Sequence, residues 1–171
     1  MKFLLRLLLK PLSFLPALLM MYLIYSFSAQ DGATSSNLSY NVSHAAVSFV
    51  DKALDLELTD RQIARSIRKI HYYVRKLAHF TEYFLLAVSV SFPLYVYGIR
   101  GIWLIITSGI LCVGFASLDE IHQYFVRGRS CSIRDVIIDS CGSFLGILFV
   151  RISGYIGRRT TFEPLCRHSN T

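Results

Sequence analysis

Residues 101–118 read GIWLIITSGILCVGFASL, a run of 18 residues without one charged side chain. A helix needs roughly 20 mostly apolar residues to cross the hydrocarbon core of a membrane, so this run predicts a transmembrane helix. The composition agrees, because 53% of the residues are hydrophobic, 17% are charged and the mean hydropathy is +0.46. The chain is therefore predicted to be an integral membrane protein.

Three further apolar windows lie around this run, at residues 11–28, 77–97 and 135–152. The first window is longer than the core of a secretory signal and is interrupted by two prolines, so we expect an uncleaved first helix. We predict an all-α fold, a single membrane domain over residues 1–171 in which four transmembrane helices form a bundle.

The segment between the first two windows is predicted to be helical, because neither glycine nor proline occurs from residue 33 to residue 92. Thr59 and Gln62 match a capping box, so a helix is expected to begin near Asp60. Basic residues then stand opposite an apolar stripe, which is typical of an amphipathic helix in the membrane interface. Packing of that stripe on the protein itself explains the pattern equally well. The predicted interfacial segment covers about residues 43–76.

Polar side chains gather at three places that this topology brings to one side of the membrane. His79 and Glu82 lie three residues apart near the start of the second span and share a helix face. The third span ends in DEIHQ, residues 119–123, and the fourth opens with RSCSIRDVIID, residues 129–139. The candidate site residues are Lys76, His79, Glu82, Asp119, Glu120, Gln123, Arg129, Asp135 and Asp139.

The fourth span carries two carboxylates with different expected partners. Ser132 and Asp135 match a capping box, so Asp135 is expected to accept amide hydrogen bonds in the first turn. Asp139 lies one turn deeper on the same face as Gly142 and Gly146, whose spacing allows close helix approach and directs this face into the bundle. An ionised carboxylate there costs about 3 kcal/mol unless it is paired. An arginine or histidine of the polar groups is the expected partner.

The polar groups have more than one explanation. They could form a buried network that ties three helices together, or a headgroup-level pocket whose arginines bind a phosphate or carboxylate. His79 or Glu120 could instead act in acid–base catalysis, and histidine and carboxylate spacings of three also resemble di-metal sites. The chain contains no nucleophile motif, glycine-rich phosphate loop or HExxH pattern. An enzyme is therefore the less favoured class, no catalytic residue is assigned, and neither a metal nor a cofactor is predicted.

Three stretches in this order resemble the VanZ-like membrane proteins of bacteria: YSFSAQDGATSSNLS, RKLAHFTEYFLL and DEIHQYFVRGRSCSIRDVIIDSCGSFLG. The matching positions are Ser28, Gln30, Lys76, His79, Glu82, Tyr83, Asp119, Glu120, Gln123, Phe125, Gly128, Arg129, Asp135 and Gly142. Arg127 stands where the family often has proline. Asp139 stands where it commonly has asparagine, which implies a neutral, protonated acid in place of an amide.

The resemblance implies a multi-pass protein of the bacterial cytoplasmic membrane and cell envelope. The founding member of the family is associated with low-level resistance to the glycopeptide teicoplanin, which implies that the polar groups bind an envelope component or the drug. A membrane enzyme that modifies a lipid or cell-wall precursor, and a small transporter, are the alternatives. Expected partners are membrane lipids and a cell-wall precursor or glycopeptide. The net charge of +7 is attributed to contact with anionic headgroups and not to nucleic acid.

The orientation is not decided by the positive-inside rule, because lysine and arginine are divided almost evenly between the two sides. Lys2, Arg6 and Lys10 precede the first span, which favours both termini inside. This choice places residues 119–129 on the outer side. The sequence does not predict an oligomeric state.

Overall fold

The computed structural model describes residues 11–157, and these residues form five helices and no strand. The helices are α1 (Leu15–Ser28), α2 (Gly32–Leu54), α3 (Asp60–Val96), α4 (Gly101–Tyr124) and α5 (Ile133–Gly157). Three of them, α3, α4 and α5, are long and apolar enough to cross a membrane, and α1 is a shorter apolar helix. The all-α prediction is confirmed. The predictions that concern residues 1–10 and 158–171 lie outside the described residues.

The connection between α1 and α2 is shorter than the sequence predicts, because α2 begins at Gly32 and not near residue 43. Asp31 is its N-cap, and its Oδ1 accepts a hydrogen bond from the Thr34 amide at 2.7 Å. This backbone hydrogen bond lowers the pKa of the Asp31 carboxyl. An aspartate at this position satisfies one of the free amides of the first turn, and the helix can therefore start directly after it.

Helix α3 is continuous across the boundary predicted at residues 76 and 77. It contains 37 residues, so it is about 55 Å long, against about 30 Å for a hydrocarbon core. It begins at Asp60 as predicted, where the Thr59 amide donates to Gln62 Oε1 at 2.8 Å. Its apolar stripe packs against α2, with Ile67 only 1% exposed. The stripe therefore covers the protein itself, and α2 with the first half of α3 forms a helical hairpin.

Helices α3 and α5 pack closely along the glycine face of α5. Gly142 lies against the carbonyl of Phe80 and Gly146 against the carbonyl of Phe84, and a side chain at either position would have no room. Asp139, Gly142 and Gly146 are all buried. The predicted close approach at this face is confirmed, and it carries Asp139 into the bundle.

The turn before α2 rests on the loop between α4 and α5. The Gly32 amide donates to the carbonyl of Arg127 at 3.0 Å. Gly32 also lies so close to the backbone of Gly128 that a side chain would not fit between them. Gly128 has φ +74°, a conformation that glycine adopts without strain. This contact brings the ends of α1 and α4 and the start of α5 together.

Candidate functional site

A cavity of about 90 Å³ lies where α1 and α4 end, between them and the walls of α2 and α3. The polar side chains that line it are Ser28, Gln30, Ser35, Ser39, Arg75, His79, Glu82, Asp119 and Arg129. We call this cavity the polar pocket. Four of the nine predicted site residues line it, namely His79, Glu82, Asp119 and Arg129. The pocket therefore combines two guanidinium groups, two carboxyl groups and one imidazole.

Arg129 joins the pocket to the end of α1. Its Nε donates to the carbonyl of Gln30 at 2.9 Å, and its Nη2 donates to the carbonyl of Phe27 at 2.6 Å. These bonds fix Arg129 to the backbone at the end of α1. Nη1 is buried without a hydrogen-bond partner among residues 11–157. Burial lowers the pKa of Arg129, but a guanidinium stays protonated in proteins, so the pocket keeps this positive charge.

The carboxyl groups of the pocket are held differently. Gln123 Nε2 donates to Asp119 Oδ2 at 2.9 Å, and both side chains are buried. Gln123 thus positions Asp119 without lining the pocket. His79 Nδ1 lies 3.9 Å from Glu82 Oε2, which is too long for a hydrogen bond. Glu82 and His79 therefore keep hydrogen-bonding capacity that a ligand could use.

A second polar group lies outside the pocket, where α3, α4 and α5 meet. Lys76 Nζ donates to Asp135 Oδ1 in an ion pair. Glu120 Oε2 accepts a hydrogen bond from the Ser132 amide at 2.8 Å. The capping box predicted for Ser132 and Asp135 is wrong, because Asp135 pairs with Lys76 and Glu120 from α4 takes over the amide. We call these four residues the helix junction, since their bonds tie three helices together.

Asp139 belongs to neither group. It is 1% exposed, and neither carboxyl oxygen has a hydrogen-bond partner in the described part of the chain. The prediction of an arginine or histidine partner is therefore wrong. Arg129, which was one expected partner, is held at the end of α1, and Asp139 lies a turn deeper in the bundle than Asp135. The neutral acid implied by the family resemblance stays a prediction.

Sequence reasoning did not assign Arg75, Ser35 and Ser39 to the site. Arg75 stands four residues before His79 and therefore on the same face of α3, a spacing that identifies it in retrospect. Ser35, Ser39 and Ser43 follow one another at spacings of four on α2, where such small side chains let α2 approach α3. The start of α2 was predicted too late for this stripe to be considered.

Comparison with known proteins identifies a family. A family model described as VanZ/LLP1 matches residues 13–154, a range that contains α1 to α4 and nearly all of α5. Neither the search of curated proteins nor the search of solved structures gave a match.

Proposed function

The chain belongs to the VanZ/LLP1 family, and from this membership and the geometry of the polar pocket we propose that it is a multi-pass protein of the bacterial cytoplasmic membrane that binds the headgroup of a cell-envelope component. In this proposal α1 is the fourth span, beside the three longer apolar helices. The bound component is a membrane lipid or a cell-wall precursor, and its headgroup enters the polar pocket.

The observation that carries the proposal is the meeting of Arg75 and Arg129 with Glu82 and Asp119 in one small cavity. Guanidinium groups bind phosphate or carboxylate, whereas carboxylates accept hydrogen bonds from hydroxyl or ammonium groups. The opposite charges balance, so a simple anion would gain from the arginines and be repelled by the acids. The pocket therefore favours a headgroup in which a phosphate or carboxylate adjoins a hydroxyl or an amine.

The size of the pocket limits its ligand. Drug-sized ligands occupy pockets of roughly 300 to 1,000 Å³, while the polar pocket measures about 90 Å³. Such a volume corresponds to about three water molecules, enough for a phosphate with a few further atoms. We therefore propose that teicoplanin itself does not enter this pocket. A contribution to glycopeptide resistance would follow from holding the envelope component and changing its availability at the surface.

The test is calorimetric titration of the purified full-length protein with phosphoethanolamine and glycerol 3-phosphate as headgroup analogues. Arg75→Gln should weaken binding by about tenfold or more, since a hydrogen bond to a charged group contributes roughly 1.5–3 kcal/mol. Arg65→Gln is the matched control, because it removes the same charge from an exposed position ten residues earlier on α3. Equal affinities for both variants and the unmodified protein would refute the proposal.

A second pair of measurements tests the role of the acids. Glu82→Gln should weaken binding of both analogues and leave inorganic phosphate binding unchanged or stronger, because it removes an acceptor and a negative charge.

Teicoplanin susceptibility of a bacterial host that expresses each variant then tests whether the pocket contributes to resistance. If the Arg75→Gln variant is expressed equally and still gives resistance, headgroup binding in the polar pocket is not the cause of resistance.

An enzyme remains the second candidate, and the His79–Glu82 pair favours it. A half-buried imidazole 3.9 Å from a carboxylate, beside two arginines, could transfer a proton to or from a bound headgroup. Glu120 is less suited to this role than the sequence implied, since it lies outside the pocket and is bonded to Ser132. Glu82→Gln should then abolish product formation from a lipid or cell-wall precursor. Unchanged lipid and muropeptide profiles after deletion of the protein would exclude this candidate.

A further inference from the structure

A second cavity, of about 430 Å³, lies at the end of the bundle opposite the polar pocket. It opens where α3 ends and α4 begins, beside the last turns of α5. Its walls include Tyr95, Arg100, Leu148, Arg151 and Ile152. None of these residues lines the polar pocket, so the two cavities are independent. We call this one the basic cavity.

Two packing contacts hold one of its arginines in place. The ring of Tyr95 lies directly against Gly154 of α5, where a side chain would collide with it. The guanidinium carbon of Arg100 stands 5.6 Å from the centroid of the same ring. A cation over an aromatic face is attracted to it, so Tyr95 fixes Arg100 at the mouth of the cavity. Arg151, from α5, lines the same cavity.

The charge of this end of the bundle is unbalanced. No acidic residue lines the basic cavity among the described residues. The sequence has no aspartate or glutamate from residue 83 to 118, nor from residue 140 to 157, so the nearby stretches of α3, α4 and α5 contain none. Two arginines that line one cavity repel each other, and an anion between them would remove this repulsion. In the polar pocket, by contrast, Glu82 and Asp119 balance the charges of the two arginines.

The remaining walls of the basic cavity are apolar. Leu148 and Ile152 lie four residues apart on α5 and therefore on one face. Arginines at the end of a membrane-spanning helix reach the headgroup level, while its leucine and isoleucine side chains face the hydrocarbon. Basic pockets between transmembrane helices are known to bind the headgroups of anionic lipids. A volume of about 430 Å³ is within the range that holds a small organic ligand.

We propose that the basic cavity binds one anionic phospholipid, with the phosphate between Arg100 and Arg151 and an acyl chain along Leu148 and Ile152. The site lies on the opposite membrane surface from the polar pocket, so it does not depend on the proposed headgroup function. The phospholipid would anchor the end of α3 and the start of α4 to the last turns of α5.

The test uses the full-length protein in nanodiscs of phosphatidylcholine with a minor fraction of phosphatidylglycerol. After transfer to detergent, native mass spectrometry counts the lipids that remain bound. The unmodified protein should retain phosphatidylglycerol in preference to phosphatidylcholine. The double substitution Arg100→Gln with Arg151→Gln should reduce this preference by about 30-fold, the value expected from two surface arginines.

The matched control is Arg61→Gln with Arg65→Gln, which removes two charges from exposed positions on α3. An equal loss of preference in this control would mean that only net charge attracts the lipid, and would overturn the proposal. So would an unchanged preference in the double variant at the basic cavity. Arg100 and Arg151 are exposed, so both variants should fold, and each single substitution should give an intermediate preference.

A third arm distinguishes a lipid from free phosphate. Inorganic phosphate at millimolar concentration should not displace the retained phosphatidylglycerol, because it makes no contact with the apolar walls. Ile152→Ser should lower lipid retention and leave phosphate binding unchanged. Complete displacement by phosphate, with no effect of Ile152→Ser, would assign the cavity to a free anion and contradict the lipid proposal.

Discussion

Arg129 donates from two of its nitrogens to the carbonyls of Phe27 and Gln30, and it also lines the polar pocket. The sequence identified this residue, but it could not show that most of its hydrogen bonds are structural. A guanidinium has five donors in a fixed plane, so it can hold a helix end and still offer a nitrogen to a ligand. Alanine at this position would remove both roles together.

Arg129→Lys separates charge from hydrogen-bond geometry. Lysine keeps the positive charge but is a point donor that does not reproduce the fork to Phe27 and Gln30. We expect the free energy of unfolding to fall by roughly 1.5–3 kcal/mol, the contribution of hydrogen bonds made by a charged group. Denaturant unfolding in detergent measures this change. Arg127→Lys, at an exposed position two residues earlier, is the control, and equal stability of the two variants would contradict the assigned bonds.

Asp139 and Asp135 should differ in their response to replacement by asparagine, since only Asp135 has an ion-pair partner. Asp139 is buried without a hydrogen-bond partner in the described structure, so Asp139→Asn breaks no bond and, because an amide cannot ionise, should leave the free energy of unfolding unchanged or raise it. Asp135→Asn removes the ion pair with Lys76 and should cost about 1 kcal/mol, because the pair is only partly buried. Thermal unfolding of the purified variants compares them. A larger loss for Asp139→Asn than for Asp135→Asn would contradict the assignment of Asp139 as an unpaired side chain.

The site could be predicted in part from these residues. Polar side chains at the ends of the predicted spans identified His79, Glu82, Asp119 and Arg129, because spacing along one helix shows which side chains share a face. Contacts between different helices could not be predicted in this way. The Ser132 amide is bonded by Glu120, twelve residues away, and no local pattern distinguishes that acceptor from Asp135. A local motif can predict only an acceptor nearby in the sequence, here Asp135, whereas the folded bundle brings Glu120 from another helix to the Ser132 amide.

At the scale of the elements, the predicted helices are correct in type but not always in their bounds. Helix α3 runs through the expected boundary at residues 76 and 77 because no glycine or proline lies between residues 60 and 92, and the change from basic to apolar composition does not end a helix. Helix α2 starts earlier than expected because Asp31 caps it. Close packing at this face of α5 was predictable, since the spacing of Gly142 and Gly146 indicates a face that admits a neighbouring backbone, but the spacing does not identify α3 as that neighbour.

Gly142→Ala and Gly146→Ala test that packing. A methyl group at either position meets the carbonyl of Phe80 or Phe84, so each substitution should cost about 1–3 kcal/mol through overpacking. Gly109→Ala and Gly114→Ala on α4 are matched controls, because nothing lies within 4 Å of their new methyl groups. These should be neutral or stabilising, since alanine favours the helix by up to about 1 kcal/mol. Uniform effects of all four in denaturant unfolding would argue against the close approach.

The described part of the molecule differs in charge between its two ends. The polar end contains Glu82 and Asp119 in the polar pocket and Glu120 and Asp135 in the helix junction, while the cavity at the other, basic end is lined by Arg100 and Arg151 and by no acid among the described residues. Both ends of the described chain lie at this basic end, where Ser13 Oγ is 2.6 Å from Tyr97 Oη. An even number of crossings, as proposed here with α1 included, returns the chain to its starting side. Residues 11 and 157, the two ends of the described range, lie at one end of the bundle, which fits such an even number; the predicted placement of the termini concerns residues outside that range.

Labelling of single cysteines tests on which side of the membrane each end of the bundle lies. Cys131 is exposed in the loop between α4 and α5, and replacing Cys112, Cys141 and Cys166 by serine or alanine leaves it as the only thiol. A membrane-impermeant maleimide should label it in intact cells, because Lys2, Arg6 and Lys10 favour a cytoplasmic N-terminus and hence an external polar end.

The control is Gly157→Cys in a chain without the native thiols, at a position near the basic end where a side chain has open space. It should react only after the cells are permeabilised. The reverse pattern would place the polar pocket in the cytoplasm, and the pocket would then bind an envelope precursor before export. Reaction of both positions in intact cells would mean that α5, the helix between them, does not cross the membrane, and would contradict the proposed topology.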